Sequence, residues 1–305
     1  LVFNNAGVAN GGLVWENSVK DWEWVLGVNM WGVIHGVRIF TPMMLDAAAA
    51  DKAWRGHIVN TSSMAGLVTM PNMGVYNVSK HAAVALSETL YQDLSLVTDQ
   101  ISASVLCPFF VPTGISQSHR NRPGDLPADK PTKSQLIGQA MSDKAVGSGK
   151  VTAFDVAQKV FDAVAANRFY IYSHPNAIGS VQTRLEDILQ ARNPTDPFAG
   201  KPEIGVALRK ALRNTYLLAK EMEADAASEA DAALAGALLK LLRQGSTLPA
   251  YANVAAIGPL AATTLRIERL LKRETATTRR VGLVRPRHIA MSLLLALALF
   301  SVSTW

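Results

Sequence analysis

Runs of apolar residues with the length of a strand alternate with long helical patterns from Leu1 to about residue 173. We expect strands at Leu1–Asn4, Gly56–Thr61, Ile101–Cys107 and Phe169–Ser173, and helices at Val19–Ala50, at Tyr76–Val97, from Thr152 onward and at Asn176–Arg192. Short continuous apolar runs are typical of strands buried on both faces, and connections long enough to be helices join parallel strands. The pattern therefore predicts an α/β fold with a doubly wound parallel sheet.

The character of the sequence changes after the stretch from Pro194 to Pro202. Residues 214–305 begin with a stretch rich in Ala, Leu and charged residues, which favours helices, and they show neither a strand period nor a motif. We therefore divide the chain into an α/β part at residues 1–213 and a helix-prone tail of unassigned role at 214–305. Within the first part, the connection from Pro108 to about Gly149 is too long to be a simple turn.

The charge of the chain does not indicate a nucleic-acid partner. The net charge is +6, and residues 1–213 hold nineteen basic and seventeen acidic side chains while residues 214–305 hold eleven and seven. The arginines of the tail lack the interleaved aromatic residues that stack on bases. Cys107 is the only cysteine, which excludes an internal disulfide and favours the cytoplasm. Because the histidines have no metal-ligand spacing, we expect no metal site.

Tyr76 and Lys80 are spaced to lie on one face of the helix predicted for this stretch. A free tyrosine has a pKa of about 10 and is a poor base at neutral pH. A nearby ammonium group favours the phenolate and lowers that pKa, which would make Tyr76 a usable acid/base. The structural alternative is a packed tyrosine beside a solvated lysine.

Polar and small residues follow three of the expected strands, at the end where open α/β sheets bind ligands. These segments are Asn4–Gly7, Asn60–Gly66 and Cys107–Gly114. A serine hydroxyl in the second segment can donate to a carbonyl oxygen that gains negative charge, although a serine-rich turn is the alternative interpretation. Asn29 lies within an otherwise apolar helical stretch, where a polar side chain is paired or water-bound and often bends the helix.

Taken together, these motifs resemble the classical short-chain dehydrogenase/reductase family. The chain carries, in the family's order, Asn-Asn-Ala-Gly, a later helical asparagine, a serine thirteen residues before a Tyr-x-x-x-Lys, and Pro-x-x-x-Pro-Thr-Gly. The resemblance covers about residues 1–213 and implies a Rossmann-like fold. It implies that Tyr76 is the acid/base and that Lys80 lowers its pKa and holds the nicotinamide ribose. Ser63 would orient and polarise the substrate, and Asn29 would hold a water that relays protons to Lys80.

The resemblance also implies NAD or NADP as cofactor and a small-molecule alcohol or ketone as substrate. Three residues would lie along the cofactor and three would line the nicotinamide: Asn5, Ala6 and Gly7, and then Pro108, Val111 and Thr113. Ser62 lacks the family spacing and is expected to be structural. Phe109 stands where the family usually has glycine, which would narrow the nicotinamide pocket. We expect the parent protein to be a homo-oligomer.

One part of the family pattern is missing from the sequence. The first strand–helix unit of the family carries a Gly-rich turn that seats the pyrophosphate on a helix N-terminus. The sequence opens with Leu1 rather than methionine, and no later glycine cluster replaces that turn. We therefore expect an N-terminal truncation that removes the first βαβαβ half and leaves strands four to seven, with Leu1–Asn4 as an open edge. An inactive fragment without a working cofactor site is the alternative function, and for this chain we favour it over activity.

The C-terminal residues 289–305 form an uncharged run preceded by four arginines, Arg279, Arg280, Arg285 and Arg287. Seventeen residues are at the lower limit for a membrane span. The run could anchor a reductase to a membrane, form an ordinary buried helix, or be read-through past the natural end of a gene. Of these, we favour a tail without a membrane partner.

Overall fold

The computed structural model describes residues 1–213, which belong to the first of the two compact units of the chain, Leu1–Thr215. Four parallel strands form a sheet in the order of the chain. They are β1 (Val2–Asn4), β2 (Gly56–Thr61), β3 (Ile101–Cys107) and β4 (Tyr170–Tyr172). The predicted fold class is therefore confirmed.

Among the described residues, the named α-helices that accompany the strands are α1 (Val19–Leu26), α2 (Gly32–Ala50), α3 (Gly74–Val97), α4 (Lys133–Gly147), α5 (Ala153–Ala165) and α6 (Gly179–Leu189). A single π-helical segment, Gly27–Trp31, joins α1 to α2. Short 3-10 helices lie at Met64–Gly66, Gly114–Asn121 and Pro175–Ile178, and residues 202–213 are helical.

Helices cover both faces of the sheet because successive residues of the buried strands point to opposite sides. Ile58 packs with Met44 of α2 and Leu90 of α3. The next residue, Val59, packs instead with Val156 of α5 and with other residues of that helix. One strand thus supplies two hydrophobic cores, which explains its continuous apolar sequence.

The predicted boundaries of the strands and of the long helices agree with the structure to within a few residues, but one segment differs. The connection that begins at Pro108 contains the regular helix α4. Thr132 and Gln135 form a capping box that starts this helix. Only Ser134 and Val146 of α4 are buried, so the helix has no apolar stripe that would have indicated it in the sequence.

A row of buried polar side chains links β1, β2 and α3. Asn4 Nδ2 donates to Asn60 Oδ1 over 2.8 Å, and Asn60 Nδ2 donates to Ser87 Oγ over 3.0 Å. Ser87 Oγ in turn donates to the backbone carbonyl of Ala83 over 2.6 Å. Gly36 of α2 lies directly against Asn4, and a Cβ at that position would stand 1.9 Å from Asn4 Oδ1. The approach of α2 to β1 therefore depends on this glycine.

Within residues 1–213, no helix is both long and apolar enough to cross a membrane. In the same range, no group of three or more His, Cys, Asp or Glu side chains could hold a metal ion. The predicted helix-prone tail at 214–305 and the uncharged run at 289–305 lie outside the described residues.

We predict that Gly36→Ala lowers the free energy of unfolding by about 1–3 kcal/mol, because Asn4 must move and its buried hydrogen bond to Asn60 is lost. Urea titration followed by circular dichroism measures the change. Gly32→Ala is the matched control, since nothing lies within 4 Å of a Cβ built at Gly32. That control should be neutral or slightly stabilising, because alanine is the better helix former. Equal stability of the two variants would contradict the assigned role of Gly36.

Candidate active site

The carboxyl ends of β1, β2 and β3 meet at one edge of the sheet and border a cavity of about 890 Å³. Nine of the ten residues predicted for the site line this cavity: Asn5, Ala6, Gly7, Ser63, Tyr76, Lys80, Pro108, Val111 and Thr113. Parallel pairing brings segments from distant parts of the sequence together here. The tenth residue, Asn29, is buried outside the lining.

Tyr76 and Lys80 lie one turn apart near the start of α3, and both are buried. Lys80 Nζ lies 5.7 Å from the centroid of the Tyr76 ring and donates to the backbone carbonyl of Thr61 over 3.2 Å. A Cβ added at Gly7 would lie 3.4 Å from Lys80 Nζ, so the backbone after β1 passes close to the ammonium group. The predicted pair thus faces the cavity from the helix side.

Burial dominates the titration of this pair. It raises the pKa of Tyr76 above its ordinary value, and a hydrogen bond from Ser63 offsets part of the increase. Burial also lowers the pKa of Lys80 to about 8, while the neighbouring Cys107 acts in the opposite direction. Burial of the phenol is the larger of the two effects on Tyr76, and the lowering of its pKa that was expected from Lys80 stays a prediction.

The two serines after β2 have different surroundings. Ser62 is buried and donates its hydroxyl to the backbone carbonyl of Lys80 over 2.8 Å, which ties the end of β2 to α3. Ser63 is only partly buried, and its hydroxyl accepts from the backbone N–H of Ala65 over 3.1 Å. Its hydroxyl also lies 3.4 Å from the carbonyl of Pro108, the outer limit of a hydrogen bond. Ser63 is thus the serine whose hydroxyl can turn toward a ligand and Tyr76.

Asn29 occupies the π-helical segment, where one extra residue per turn directs its side chain into the interior. Its Oδ1 accepts from the backbone N–H of Val8 over 2.8 Å. Its Nδ2 donates to the carbonyl of Val8 over 2.9 Å and to Ser79 Oγ over 3.0 Å. Asn29 therefore holds the segment after β1 against α3. The expectation that this polar side chain is paired is confirmed, whereas the water relay stays a prediction.

The segment after β3 forms the opposite wall of the cavity. The backbone N–H of Phe109 donates to Ser173 Oγ over 2.9 Å, which fixes this segment to the end of β4. The Phe109 ring contacts His174 edge-on at 5.7 Å and stays about 43% exposed. Val111 is buried against α5, and Thr113 caps the 3-10 helix that follows. Phe109 lines the cavity, and the expected narrowing of the nicotinamide pocket stays a prediction.

Sequence reasoning missed the wall contributed by α5. Val156, Val160 and Phe161 line the cavity, and Phe161 contacts Phe3 of β1 edge-on at 6.1 Å. The helix expected from Thr152 onward is confirmed as α5, which starts with a capping box formed by Thr152 and Asp155. Its placement above the strand ends depends on how the chain crosses the sheet, which local sequence does not specify. Arg120 is another lining residue that the sequence gave no reason to select.

The sequence model of the short chain dehydrogenase family matches residues 1–124. The CLA biosynthesis dehydrogenase/reductase of Lactiplantibacillus plantarum is 33% identical over 193 residues, covering 62% of this chain and 65% of that protein. The 1-deoxy-11-beta-hydroxypentalenate dehydrogenase of Streptomyces avermitilis is 30% identical over 189 residues, 61% of this chain and 58% of that protein. The chain therefore spans less than two thirds of the length of these curated relatives.

A solved structure with the same architecture is a short chain dehydrogenase/reductase from Burkholderia phymatum in complex with NAD. It is 52% identical in sequence, and the match covers 64% of this chain and 68% of that one with a TM-score of 0.61. At 52% identity, the two proteins share their sequence as well as their fold.

We predict that Asn29→Asp lowers the free energy of unfolding by about 2–3 kcal/mol. The substitution removes the two amide donors to Val8 and Ser79 and buries a carboxylate among groups that cannot balance its charge. Chemical denaturation at neutral pH measures the change, with Asn176→Asp as the matched control because Asn176 is exposed. The control should stay within about 0.5 kcal/mol of the parent protein. Similar losses in both variants would show that the buried contacts of Asn29 do not stabilise the fold.

Proposed function

Because the chain belongs to the short-chain dehydrogenase/reductase family, we propose that it is a nicotinamide-dependent oxidoreductase that interconverts an alcohol and a ketone. The observation that carries this proposal is the meeting of Tyr76, Lys80 and Ser63 at one cavity beside the strand ends. The raised pKa of Tyr76 keeps the phenol protonated at neutral pH, which suits proton donation during reduction of a ketone.

The residues of the cavity have separate roles in this reaction. The Ser63 hydroxyl and the Tyr76 phenol donate hydrogen bonds to the carbonyl oxygen of the substrate and stabilise the negative charge that develops there. Tyr76 then transfers its proton to that oxygen, and in the direction of oxidation it accepts the proton from the alcohol. Lys80 carries a positive charge below pH about 8, and this charge favours the phenolate left behind.

The cavity suits a nicotinamide dinucleotide. When bound, the nicotinamide supplies or accepts the hydride, which is the part of the reaction that no amino-acid side chain performs. Asn5, Ala6 and Gly7 would lie along the cofactor, and the absence of a side chain at Gly7 leaves room next to Lys80. Pro108, Val111 and Thr113 would surround the nicotinamide, while Tyr76 and Lys80 would hold its ribose. The proposal covers NAD and NADP alike.

The rival proposal is a chain that retains these motifs but binds no cofactor. Among residues 1–213, β1 is an outer strand of the sheet and Phe3 is about 46% exposed, a poorly protected edge. Calorimetric titration of the full chain with NADH and NADPH separates the two proposals. A dissociation constant in the micromolar range supports the oxidoreductase, and the absence of heat with either nucleotide supports the rival.

We predict that Tyr76→Phe reduces turnover by about 10²–10⁴-fold or more while affinity for NADH or NADPH stays nearly unchanged, because only the hydroxyl is lost. The measurement is nicotinamide absorbance during reduction of a panel of ketones, combined with calorimetric titration of the nucleotide. Tyr172→Phe is the control, since Tyr172 stacks on Tyr170 and does not line the cavity. Turnover of Tyr76→Phe at the level of this control would refute the acid/base role of Tyr76.

We predict that Lys80→Met moves the pH dependence of alcohol oxidation toward alkaline pH and weakens nucleotide binding. Oxidation needs the phenolate, and loss of the ammonium charge raises the already high pKa of Tyr76 further. The wild-type feature near pH 8, where Lys80 loses its proton, should also disappear. Rate profiles between pH 6 and 10 measure both effects.

Two further variants make the test of Lys80 specific. Lys80→Arg keeps a charge at all accessible pH values and should retain more activity than Lys80→Met. Lys159→Met removes an exposed lysine of α5 that does not line the cavity, and it should leave the pH profile unchanged. If the pH–rate profile of Lys80→Met coincides with that of the parent protein, the proposed role of Lys80 in the reaction is refuted.

A further inference from the structure

The cavity has a positively charged lining. Among residues 1–213, the charged residues that line it are Lys80 and Arg120, and no aspartate or glutamate of this part of the chain lines it. Lys80 already donates to the carbonyl of Thr61 and is assigned to the catalytic chemistry. Arg120 has no role in the reaction proposed above. A cation that faces a ligand cavity without an acidic neighbour favours a negatively charged group in the ligand.

The guanidinium of Arg120 is held by one of its edges. Nη1 donates to the carbonyl of Gly114 over 3.0 Å and to the carbonyl of Gln117 over 2.8 Å. Both acceptors belong to the same 3-10 helix that ends at Asn121, so the side chain folds back onto its own segment. Within residues 1–213, Nε and Nη2 have no hydrogen-bond partner. Three N–H donors of a planar group thus stay available in a fixed orientation.

Gly114 makes this orientation possible. A Cβ at Gly114 would lie 2.6 Å from Arg120 Nη2 and 3.2 Å from Nη1, so a side chain there would displace the guanidinium. Glycine at this position therefore permits the guanidinium to lie flat against the start of the 3-10 helix.

The next arginine in the sequence, Arg122, has a structural role. Arg122 forms an ion pair with Asp21, and both side chains are more than nine-tenths buried. Its guanidinium also lies 5.0 Å from the ring of Trp24. Arg120, by contrast, has no acidic partner within 4.0 Å among the described residues and is exposed. The charge of Arg120 is thus not paired with an acidic side chain of residues 1–213.

We propose that Arg120 binds an anionic group, a carboxylate or a phosphate, of the ligand that occupies the cavity. A planar guanidinium pairs with either group through two parallel hydrogen bonds, which a lysine at the same place would not do. The inference rests on the proposed function only in taking this cavity as the ligand site. The anion is carried by the substrate, as a carboxylate of a keto acid, or by the nucleotide, as one of its phosphates.

The test compares wild type, Arg120→Gln, Gly114→Ala and Arg55→Gln as full chains. Arg55 is the matched control because its Nη1 also donates to two backbone carbonyls, those of Lys52 and Trp54, but it lies outside the cavity. In the phosphate arm, titrations use reduced nicotinamide mononucleotide, reduced nicotinamide riboside and inorganic pyrophosphate. In the carboxylate arm, KM is measured for benzoylformate and for its uncharged methyl ester.

We expect Arg120→Gln to weaken one charged probe by about tenfold or more, the range of a hydrogen bond to a charged group. The uncharged partner of that probe should bind as in wild type, Gly114→Ala should show the same selective loss, and Arg55→Gln should show none. Loss for the mononucleotide identifies a phosphate, and loss for benzoylformate identifies a carboxylate. Unchanged affinity for every charged probe, or equal losses for charged and uncharged probes, would overturn the proposal.

Failure of the proposed function gives a different result. If wild type binds neither NADH nor NADPH, the oxidoreductase proposal fails, and the titration with pyrophosphate decides the role of Arg120. If wild type binds NADH or NADPH and Arg120→Gln binds all probes as well as wild type does, only the role of Arg120 is refuted.

Discussion

Parallel pairing of β1, β2 and β3 is the constraint from which the site follows. The register places Asn4 beside Asn60, and Asn60 beside Val105, so the three strands end at nearly the same level. Each strand then continues into a segment that carries part of the site. Because parallel strands need long crossovers, residues far apart in the sequence, such as Gly7 and Thr113, are brought to one cavity. The helix α3 starts at this edge and adds Tyr76 and Lys80 within its first two turns.

Burial is the main cause of the pKa shifts of Tyr76 and Lys80. A tyrosine at the surface would titrate near its ordinary pKa, and the ammonium of a surface lysine would be strongly hydrated. Here the loss of water opposes both charged forms, which raises the pKa of Tyr76 and lowers that of Lys80 to about 8. Lys80 therefore loses its proton at a lower pH than Tyr76 does, and the sequence alone does not reveal this order. The spacing of four residues predicted their proximity, but the sign of the net shift depended on burial.

The parts of the fold predicted correctly are those that local sequence specifies. The apolar runs predicted β2 and β3 with their observed bounds, and the helix expected from Thr152 onward is α5. The helix α4 was not predicted because its few buried residues do not form an apolar stripe with helical spacing. In the site, motifs with a fixed order indicated the residues at the strand ends. The wall formed by α5 and the position of Arg120 arise from tertiary packing, which a one-dimensional pattern does not record.

A substitution at a site residue can lower activity either by destabilising the fold or by removing a group that acts on the ligand. Asn29 and Ser62 are buried and hold backbone segments together, so their removal changes the shape of the cavity and the stability of the fold at the same time. An unpaired buried polar group costs about 1–3 kcal/mol, a large fraction of the stability of a typical domain. The Tyr76 hydroxyl and the Arg120 guanidinium instead face the cavity, where solvent or a ligand replaces the lost partner. Under the proposed roles, defects at these two positions report on the reaction and on ligand recognition, whereas defects at Asn29 and Ser62 report first on folding.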